Sequence, residues 1–273
     1  MELKLPAPFY ARGEHFGIDL PGAQALFTTR RGGFSEGPYA SFNLGRLTAD
    51  EPEAVQRNRA RLQAEVGVPP AHIRQVHGTE VRRITSLPVT GVAPLPDEGV
   101  ELPEADGQAT PLRGLAPMVL VADCLPIAVA GRASANGFGA VAMLHAGWRG
   151  LAGGIVAEGV RALRELGVDG RIEAAIGPGA GACCYEVGEE VHAQFAAKAP
   201  PSGAADKPEL GPHVRRGRNL DLKAIARDEL TGAGVAAVHD VGLCTMCSDD
   251  TLFFSHRRDR GVTGRQAGLA WLS

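Results

Sequence analysis

Three segments of the sequence place a reactive side chain directly after a short apolar run. The runs are followed by His77, Cys124 and His145, and a glycine or proline comes within two residues of each. Rigid scaffolds often present functional groups at strand ends of this kind. Two imidazoles and one thiol suit Zn²⁺, and three protein ligands leave a fourth position open, as in catalytic zinc sites. The pattern therefore predicts a catalytic metal site formed by His77, Cys124 and His145, a donor set that also suits copper.

The same residues fit a second mechanism. Cys124 could be a nucleophile with His77 or His145 as its base, so that the thiolate attacks an acyl or amide carbon. Taken singly, each residue also has an ordinary explanation, such as a cysteine that only packs in a core. At the level of the sequence, both roles of Cys124, metal ligand and nucleophile, stay open.

The other four cysteines are interpreted as structural. Cys244 and Cys247 form a single C-x-x-C, whereas zinc ribbons use two such pairs, so core thiols are the favoured interpretation. Cys183 and Cys184 are adjacent, so in a strand they would point to opposite sides and act as packing residues. Five cysteines in a chain of 273 residues do not indicate a disulfide framework.

Two basic segments could bind a polar substrate. Trp148-Arg149-Gly150 follows an apolar strand and opens a helix, where an arginine and free backbone N–H groups make an anion site for phosphate or carboxylate. The segment from Phe253 to Arg258 combines aromatic faces with paired guanidinium groups, which suit a stacked base. The alternative for both segments is ordinary surface charge beside core aromatics.

Hydrophobic periodicity predicts the elements that must position these residues. The predicted helices are Pro52–Val66, Leu151–Leu166, Gly188–Lys198 and Asp221–Leu230, and the predicted strands are Met118–Ala122, Ile127–Ala130, Ala140–Leu144 and Ile172–Ile176. The strands are apolar without alternation, which predicts a mixed sheet covered on both faces, in an α/β or α+β fold. Segments Ser86–Ala105 and Ala199–Arg218 are rich in proline or glycine and are interpreted as insertions within one domain over residues 1–273.

Composition excludes several classes of function. The chain has 28 Lys and Arg against 31 Asp and Glu, which argues against a polybasic nucleic-acid or membrane-surface binder. The sequence shows no signal peptide, membrane span, P-loop or G-x-G-x-x-G motif. We expect a cytoplasmic enzyme with a small-molecule substrate, and the oligomeric state stays open.

Ordered motifs along most of the chain resemble the YfiH family, also called the laccase-domain or multicopper polyphenol oxidoreductase family. These motifs are Thr28–Gly33, Pro38–Gly45, Gln75–Gly78, Ala105–Gly107, Ala122–Pro126, His145–Gly150, Gly177–Pro178, Cys184–Gly188, Cys244–Thr245, Phe253–Arg258 and Thr263–Arg265. The resemblance implies a single-domain α+β fold, a four-layer α/β/β/α sandwich with mixed sheets. It also implies that His77, Cys124 and His145 are zinc ligands and catalytic residues.

The resemblance implies a zinc-dependent purine nucleoside phosphorylase with adenosine deaminase and methylthioadenosine phosphorylase-type activity. Substrate and phosphate contacts are then predicted for Asn43, Arg149 and Arg257. Two departures from the family pattern, a long Ser86–Ala105 loop and His256 in place of an aromatic, could change access to the site.

Three alternatives remain from the sequence. Some relatives are regarded as peptidoglycan-editing amidohydrolases that act on UDP-MurNAc-linked Ser or Gly through the same Cys/His site. A copper-binding polyphenol oxidase fits poorly, because the chain has eight histidines and no H-x-H pair. The third alternative is a non-catalytic protein in which the metal is only structural.

Overall fold

Two six-stranded sheets and a small two-stranded hairpin make up the strands of the described chain. The computed structural model describes residues 5–87, 101–134, 139–196 and 214–273. The first sheet has the order β1-β2-β3-β14-β7-β4, with β1 (Tyr10–Arg12), β2 (His15–Leu20), β3 (Ala23–Phe27), β4 (Pro70–Ala71), β7 (Ala116–Val121) and β14 (Gln266–Leu272). Its strands pair antiparallel except for β4 with β7, so the sheet is mixed.

The second sheet carries most of the strands near the candidate site. Its order is β13-β10-β8-β9-β6-β5, with β5 (Val81–Arg83), β6 (Gly107–Thr110), β8 (Leu125–Arg132), β9 (Gly139–Ala146), β10 (Ile172–Ile176) and β13 (Ala237–Asp240). The edge pairs β10–β13 and β5–β6 are parallel and the central pairs are antiparallel. The separate hairpin consists of β11 (Arg215–Arg216) and β12 (Asn219–Leu220).

The helices cover the outer faces of the two sheets. They are α1 (Pro52–Val66), α2 (Trp148–Gly153), α3 (Ile155–Glu165), α4 (Glu189–Ala196) and α5 (Leu222–Gly232), with a short 3₁₀ turn at Gly37–Tyr39. Leu62 of α1 packs in one apolar cluster with Met118 and Leu269 of the first sheet. Helices α2 to α5 bury their apolar sides in a second cluster with β8, β9 and β10.

A third apolar cluster lies between the two sheets and joins them face to face. It includes Phe27 and Val119 of the first sheet with Val141 and Met143 of the second. The strands β8 and β9 are therefore covered on both faces, which explains why they read as continuous apolar runs. The layer order is α, β, β, α, so the predicted four-layer α+β sandwich is confirmed.

The predicted elements are present with shifted ends. Helix Pro52–Val66 and strand Ile172–Ile176 have the predicted bounds, and β8 and β9 extend beyond theirs. The single helix predicted over Leu151–Leu166 is two helices, because Gly154 adopts φ 97° between α2 and α3. Most of both predicted insertions lies outside the described residues. None of the described helices is long and apolar enough to cross a membrane.

Candidate functional site

Hydrogen bonds between strands bring two of the predicted ligands together. Residue His145 is inside β9, one residue before its end, and its backbone N–H donates to the carbonyl of Asp106 at 2.7 Å. In the β8–β9 register Leu125 is opposite Ala146, which puts Cys124 beside the turn that follows β9. His145 was predicted to follow a strand that ends at Leu144. The strand β9 continues to Ala146, so His145 lies within it.

The third predicted ligand comes from a loop rather than from a strand end. His77 lies between β4 and β5 with φ 60°, a left-handed conformation that is uncommon outside glycine. Gln75 attaches this loop to β7, since its amide donates to the carbonyl of Leu120 and accepts from the Leu120 N–H, both at 2.8 Å. Cys124 follows β7 by three residues at this same end, so one strand end positions both side chains.

The three predicted ligands converge. The Cys124 Sγ lies 4.0 Å from His77 Nε2, and the rings of His77 and His145 lie 4.8 Å apart at 76°. One ligand atom from each of the three residues lies within 4.8 Å of the others. His77 is exposed, Cys124 is half-buried and His145 is buried, so the set is accessible to solvent from the side of His77.

Asp106 is a central residue of the site that sequence reasoning did not select. It is fully buried, and its Oδ1 lies 2.8 Å from His145 Nδ1. The same carboxylate accepts the backbone N–H groups of Val76, His77 and Gly78 at 3.2, 2.9 and 2.6 Å. Asp106 therefore orients one predicted ligand directly and holds the loop of another. The sequence did contain a signal for Asp106, because this residue lies in the family motif Ala105–Gly107, directly before β6.

Electrostatics in the site favour a thiolate. Burial alone would raise the pKa of Cys124, but the charge and hydrogen bonds of His145 and then His77 lower it to about 6. Burial would lower the pKa of His145, but the Cys124 thiolate and Asp106 raise it to about 9. Burial also opposes ionisation of Asp106, yet bonds from His145 and Gly78 bring its pKa below the ordinary value. Without a metal, the site is therefore a thiolate–imidazolium pair next to a carboxylate.

The donor set fits a metal ion. With Nδ1 of His145 engaged by Asp106, Nε2 is the ring nitrogen left for a metal, the arrangement by which carboxylates orient histidine ligands of zinc. Gly147 leaves the space open, because a Cβ there would lie 2.8 Å from Cys124 Sγ and 3.4 Å from the His77 ring. Tetrahedral Zn²⁺ with two nitrogen ligands and one sulfur ligand requires separations of about 3.3–3.6 Å, so small side-chain movements complete the site.

A cavity of about 530 Å³ is lined by none of the three predicted ligands, but Trp148 in its wall directly follows Gly147, which lies against Cys124 Sγ. Its lining includes both arginines predicted to bind substrate, Arg149 and Arg257, together with Trp148 and Tyr185. The Arg257 N–H donates to Asp123 Oδ2 at 2.7 Å, which connects the cavity wall to the residue before Cys124. Burial, and secondarily the Cys124 thiolate, raises the pKa of Tyr185 to about 12, so its phenol stays protonated.

The two cavity arginines have different surroundings. The Arg149 guanidinium stacks over the Trp148 ring at 4.3 Å and makes no side-chain hydrogen bond or ion pair with a described residue. Arg257 lies over the Tyr185 ring at 5.1 Å and donates to the Glu186 carbonyl at 2.6 Å. Arg149 is therefore the cation with free donors for an anion, while Arg257 is already oriented by the protein.

Asn43 is a buried support of the neighbouring loops. Its NH₂ donates to Thr48 Oγ1 and Asp50 Oδ2, both at 2.9 Å, and its carbonyl oxygen accepts the N–H groups of Gly45 and Arg265. These four bonds use every hydrogen and lone pair that the amide offers. A substrate contact by Asn43 would require one of them to break.

The prediction for the other four cysteines is wrong in part. Cys183 and Cys184 lie in a turn, not in a strand, and their sulfur atoms are 3.6 Å apart. Of the C-x-x-C pair, Cys244 is buried and Cys247 is exposed, so Cys247 is not a core thiol. All four sulfur atoms lie within 4.8 Å of one another, in a group separate from the site of Cys124.

Comparison with known proteins gives one consistent family. The model of a family described as multi-copper polyphenol oxidoreductase laccase matches residues 24–273. A protein from Xylella fastidiosa named purine nucleoside phosphorylase is 41% identical over 261 residues, which are 92% of this chain and 93% of that protein. A purine nucleoside phosphorylase from Corynebacterium glutamicum is 38% identical over 251 residues, 90% of this chain and 93% of the relative.

Solved structures agree with this result. The crystal structure of YlmD from Geobacillus stearothermophilus has 35% identity and a TM-score of 0.80, and covers 98% of this chain and 99% of its own. A Bacillus licheniformis hypothetical protein YfiH, at 29% identity, has a TM-score of 0.83 and covers 98% of this chain and all of its own.

Proposed function

The chain belongs to the multi-copper polyphenol oxidoreductase laccase family, and we propose that it is a zinc-dependent purine nucleoside phosphorylase. In this reaction a phosphate oxygen bonds to C1′ of the ribose while the C1′–N9 bond breaks. The purine leaves with the bonding electrons and takes up a proton. The names of the relatives suggest this substrate class. The observation that carries the proposal is the His77, Cys124 and His145 set beside a cavity lined by arginines and aromatic rings.

The metal ligands would be His77, Cys124 and His145. When bound, Zn²⁺ supplies a positive charge that polarises a substrate oxygen or a water molecule. Asp106 holds His145 in the orientation that directs Nε2 to the metal, and it anchors the loop that carries His77. Asp106 is fully buried and both of its oxygens already take part in hydrogen bonds. Its role is therefore to position the ligands rather than to contact the substrate.

The cavity residues supply contacts for both substrates. The unpaired guanidinium of Arg149 suits an oxygen of phosphate, which arginine binds through parallel hydrogen bonds. Arg149 and Arg257 lie over the Trp148 and Tyr185 rings, so a purine in this cavity would contact ring–guanidinium pairs rather than open ring faces. A volume of about 530 Å³ falls within the range of small-molecule sites. Tyr185 and Glu186 hold the Arg257 side chain in the cavity wall, where it would contact polar groups of a bound nucleoside.

The proposal includes two related activities. Adenosine deamination would place the purine in the same cavity, but water would attack C6 of the base and ammonia would leave, while the C1′–N9 bond stays intact. Phosphorolysis of methylthioadenosine requires room for a 5′ substituent, and the exposed Arg149 and Arg257 border the solvent side of the cavity. Ammonia and inosine formed from adenosine report deamination, and phosphate-dependent release of adenine from methylthioadenosine reports the second activity.

The test measures release of hypoxanthine from inosine and of adenine from adenosine, with and without phosphate. His77→Ala and Cys124→Ala should lose activity by at least about 100-fold, and Arg149→Ala should mainly raise the KM for phosphate. His239→Ala is the matched control. His239 lies on the edge strand β13, where it pairs with Glu173 of the neighbouring strand β10 and is not one of the predicted ligands. Wild-type turnover by both ligand variants, or base release that does not depend on phosphate, would contradict the proposal. Elemental analysis of the same samples distinguishes zinc from copper.

A second candidate is hydrolysis of an amide. Cys124, His145 and Asp106 form a continuous thiolate–imidazole–carboxylate series, the arrangement of a cysteine nucleophile with an oriented base. Release of serine or glycine from a UDP-MurNAc-linked amino acid, without release of base from nucleosides, would favour this candidate. Cys124→Ser separates the two further, because a covalent acyl-enzyme detected by mass spectrometry requires the thiol.

A further inference from the structure

The four remaining cysteines converge from two distant parts of the chain. Cys183 and Cys184 lie in the turn between β10 and α4, and Cys244 and Cys247 lie in the turn after β13. The Sγ of Cys183 is 3.3 Å from that of Cys247 and 3.6 Å from that of Cys184. The whole set fits within 4.8 Å, although more than 60 residues separate the two pairs.

These distances match a metal-thiolate site rather than a disulfide. A tetrahedral zinc ion with Zn–S bonds of about 2.3 Å separates its sulfur ligands by about 3.8 Å. A disulfide brings two sulfur atoms to about 2.05 Å, far shorter than the 3.3 Å between Cys183 and Cys247. All four thiols are free in the structure.

The backbone around the cluster is arranged to stabilise a thiolate. The N–H groups of Gly181 and Met246 donate to Cys244 Sγ at 3.2 and 3.4 Å. Gly181 also permits the two turns to approach, because a Cβ there would lie 3.1 Å from Cys183 Sγ and 3.5 Å from Cys244 Sγ. Cys183 and Cys247 are exposed, so an ion from solution reaches the cluster directly.

We propose that Cys183, Cys184, Cys244 and Cys247 bind one Zn²⁺ in a second, structural metal site. Four protein thiolates fill the coordination sphere and leave no open position for substrate, which is the mark of a structural zinc. The site is separate from the His77/Cys124/His145 set, and it does not depend on the proposed nucleoside chemistry.

The position of the cluster indicates what the ion stabilises. Thr245, next to Cys244, donates its hydroxyl to Asp123 Oδ1 at 2.7 Å. Ala180, in the other turn, donates its N–H to the Asp123 carbonyl at 2.7 Å. Both turns therefore hold the residue before Cys124, and Tyr185 of the cavity directly follows the Cys183–Cys184 pair. A metal ion bound by both turns would hold them together and would stabilise the position of Asp123, next to Cys124.

Metal content of the untagged, full-length protein tests the proposal. We expect about two zinc ions per chain by elemental analysis in the wild type, and about one in Cys183→Ser/Cys247→Ser, which changes only exposed thiols. Cys124→Ala should also retain about one, and the triple variant none. One zinc in the wild type that Cys183→Ser/Cys247→Ser does not reduce would overturn the proposal. So would a Cys183–Cys247 disulfide in zinc-free protein purified under reducing conditions.

Cobalt substitution reports on the ligands themselves. Co²⁺ added to chelator-treated Cys124→Ala should show the intense thiolate charge-transfer and tetrahedral ligand-field bands of an all-sulfur site. The same bands should be absent from the triple variant, and their presence there would contradict the assignment. Loss of the ion should lower the Tm by about 5–10 °C, as for other ligands that bind only the folded state of a chain of this size.

Discussion

Asp106→Asn tests the claim that a buried carboxylate organises the metal site. The substitution keeps the size of the side chain but removes the charge and replaces one acceptor oxygen by a donor NH₂. In the wild type, Oδ1 faces His145 and the His77 N–H, and Oδ2 faces the N–H groups of Val76 and Gly78. Whichever oxygen is replaced, two donors lose their acceptor, and of the four donors only the His145 ring is fully buried.

The magnitude follows from these contacts. A fully buried donor left without a partner costs about 1–3 kcal/mol, and the loop N–H groups are only part-buried, so the two lost bonds cost at most about 6 kcal/mol of folding stability. Loss of the carboxylate that orients His145 should weaken zinc binding by about 10–100-fold, or about 1.4–2.7 kcal/mol. Without the anion the pKa of His145 should also fall, since Asp106 is one of the groups that raise it.

The assay combines chemical unfolding with zinc competition against a chromophoric chelator, at a temperature where circular dichroism shows the variant to be folded. Glu173→Gln is the matched control, because Glu173 is also a carboxylate beside a histidine, His239 of the edge strand β13, but its side chain is partly exposed and distant in the sheet from β6 and β9. It should change stability by less than about 1 kcal/mol and leave zinc affinity unchanged. Folded Asp106→Asn that binds zinc within about twofold of the wild type would refute the positioning role.

Two further predictions concern the same site. Gly147→Ala should lower metal affinity with the fold retained, because the new Cβ would lie 2.8 Å from Cys124 Sγ. At Gly232 a Cβ meets no atom within 4 Å, so Gly232→Ala should leave metal affinity unchanged. Equal zinc affinity for the two variants would contradict this. In metal-depleted protein, the pKa of Cys124 near 6 lies below the ordinary value of 9.0, so its thiolate forms as pH rises through about 6. Alkylation of Cys124 by iodoacetamide, followed by peptide mass spectrometry, should therefore be half-maximal near pH 6, and a midpoint near pH 9 would show that the histidines do not act on the thiol.

The sequence was sufficient for much of the local structure and for selecting three side chains that the fold brings together. The periodic helix Pro52–Val66 and the apolar strand Ile172–Ile176 have the predicted bounds, since their signals lie within one element. The break at Gly154 was missed because a glycine in a helical pattern is compatible with either a continuous helix or a left-handed turn. His145 and Cys124 were found because they interrupt apolar runs.

What the sequence could not show depends on contacts between distant segments. Asp106 reads as one more acidic residue until β6 pairs with β9 and places it against His145. The four-cysteine cluster is invisible for the same reason, because the turn of Cys183 and the turn of Cys247 meet only after β10 and β13 pair in parallel. A C-x-x-C with a second pair 60 residues away has no distinctive spacing.

Two aspartates explain why the ligand loops keep unfavourable backbone conformations. His77 and Asp123 both have positive φ, 60° and 95°, which costs about 1–3 kcal/mol for each non-glycine residue. The His77 turn is held by three N–H groups that bond to Asp106. The turn before Cys124 is held by Asp123 itself, which binds the Thr245 hydroxyl with one oxygen and the Arg257 N–H with the other. Each carboxylate thus offsets the strain of one loop with bonds to groups from other elements. The ligand positions are consequently properties of the whole sandwich, and a variant that loosens either aspartate should lose the metal before it loses the fold.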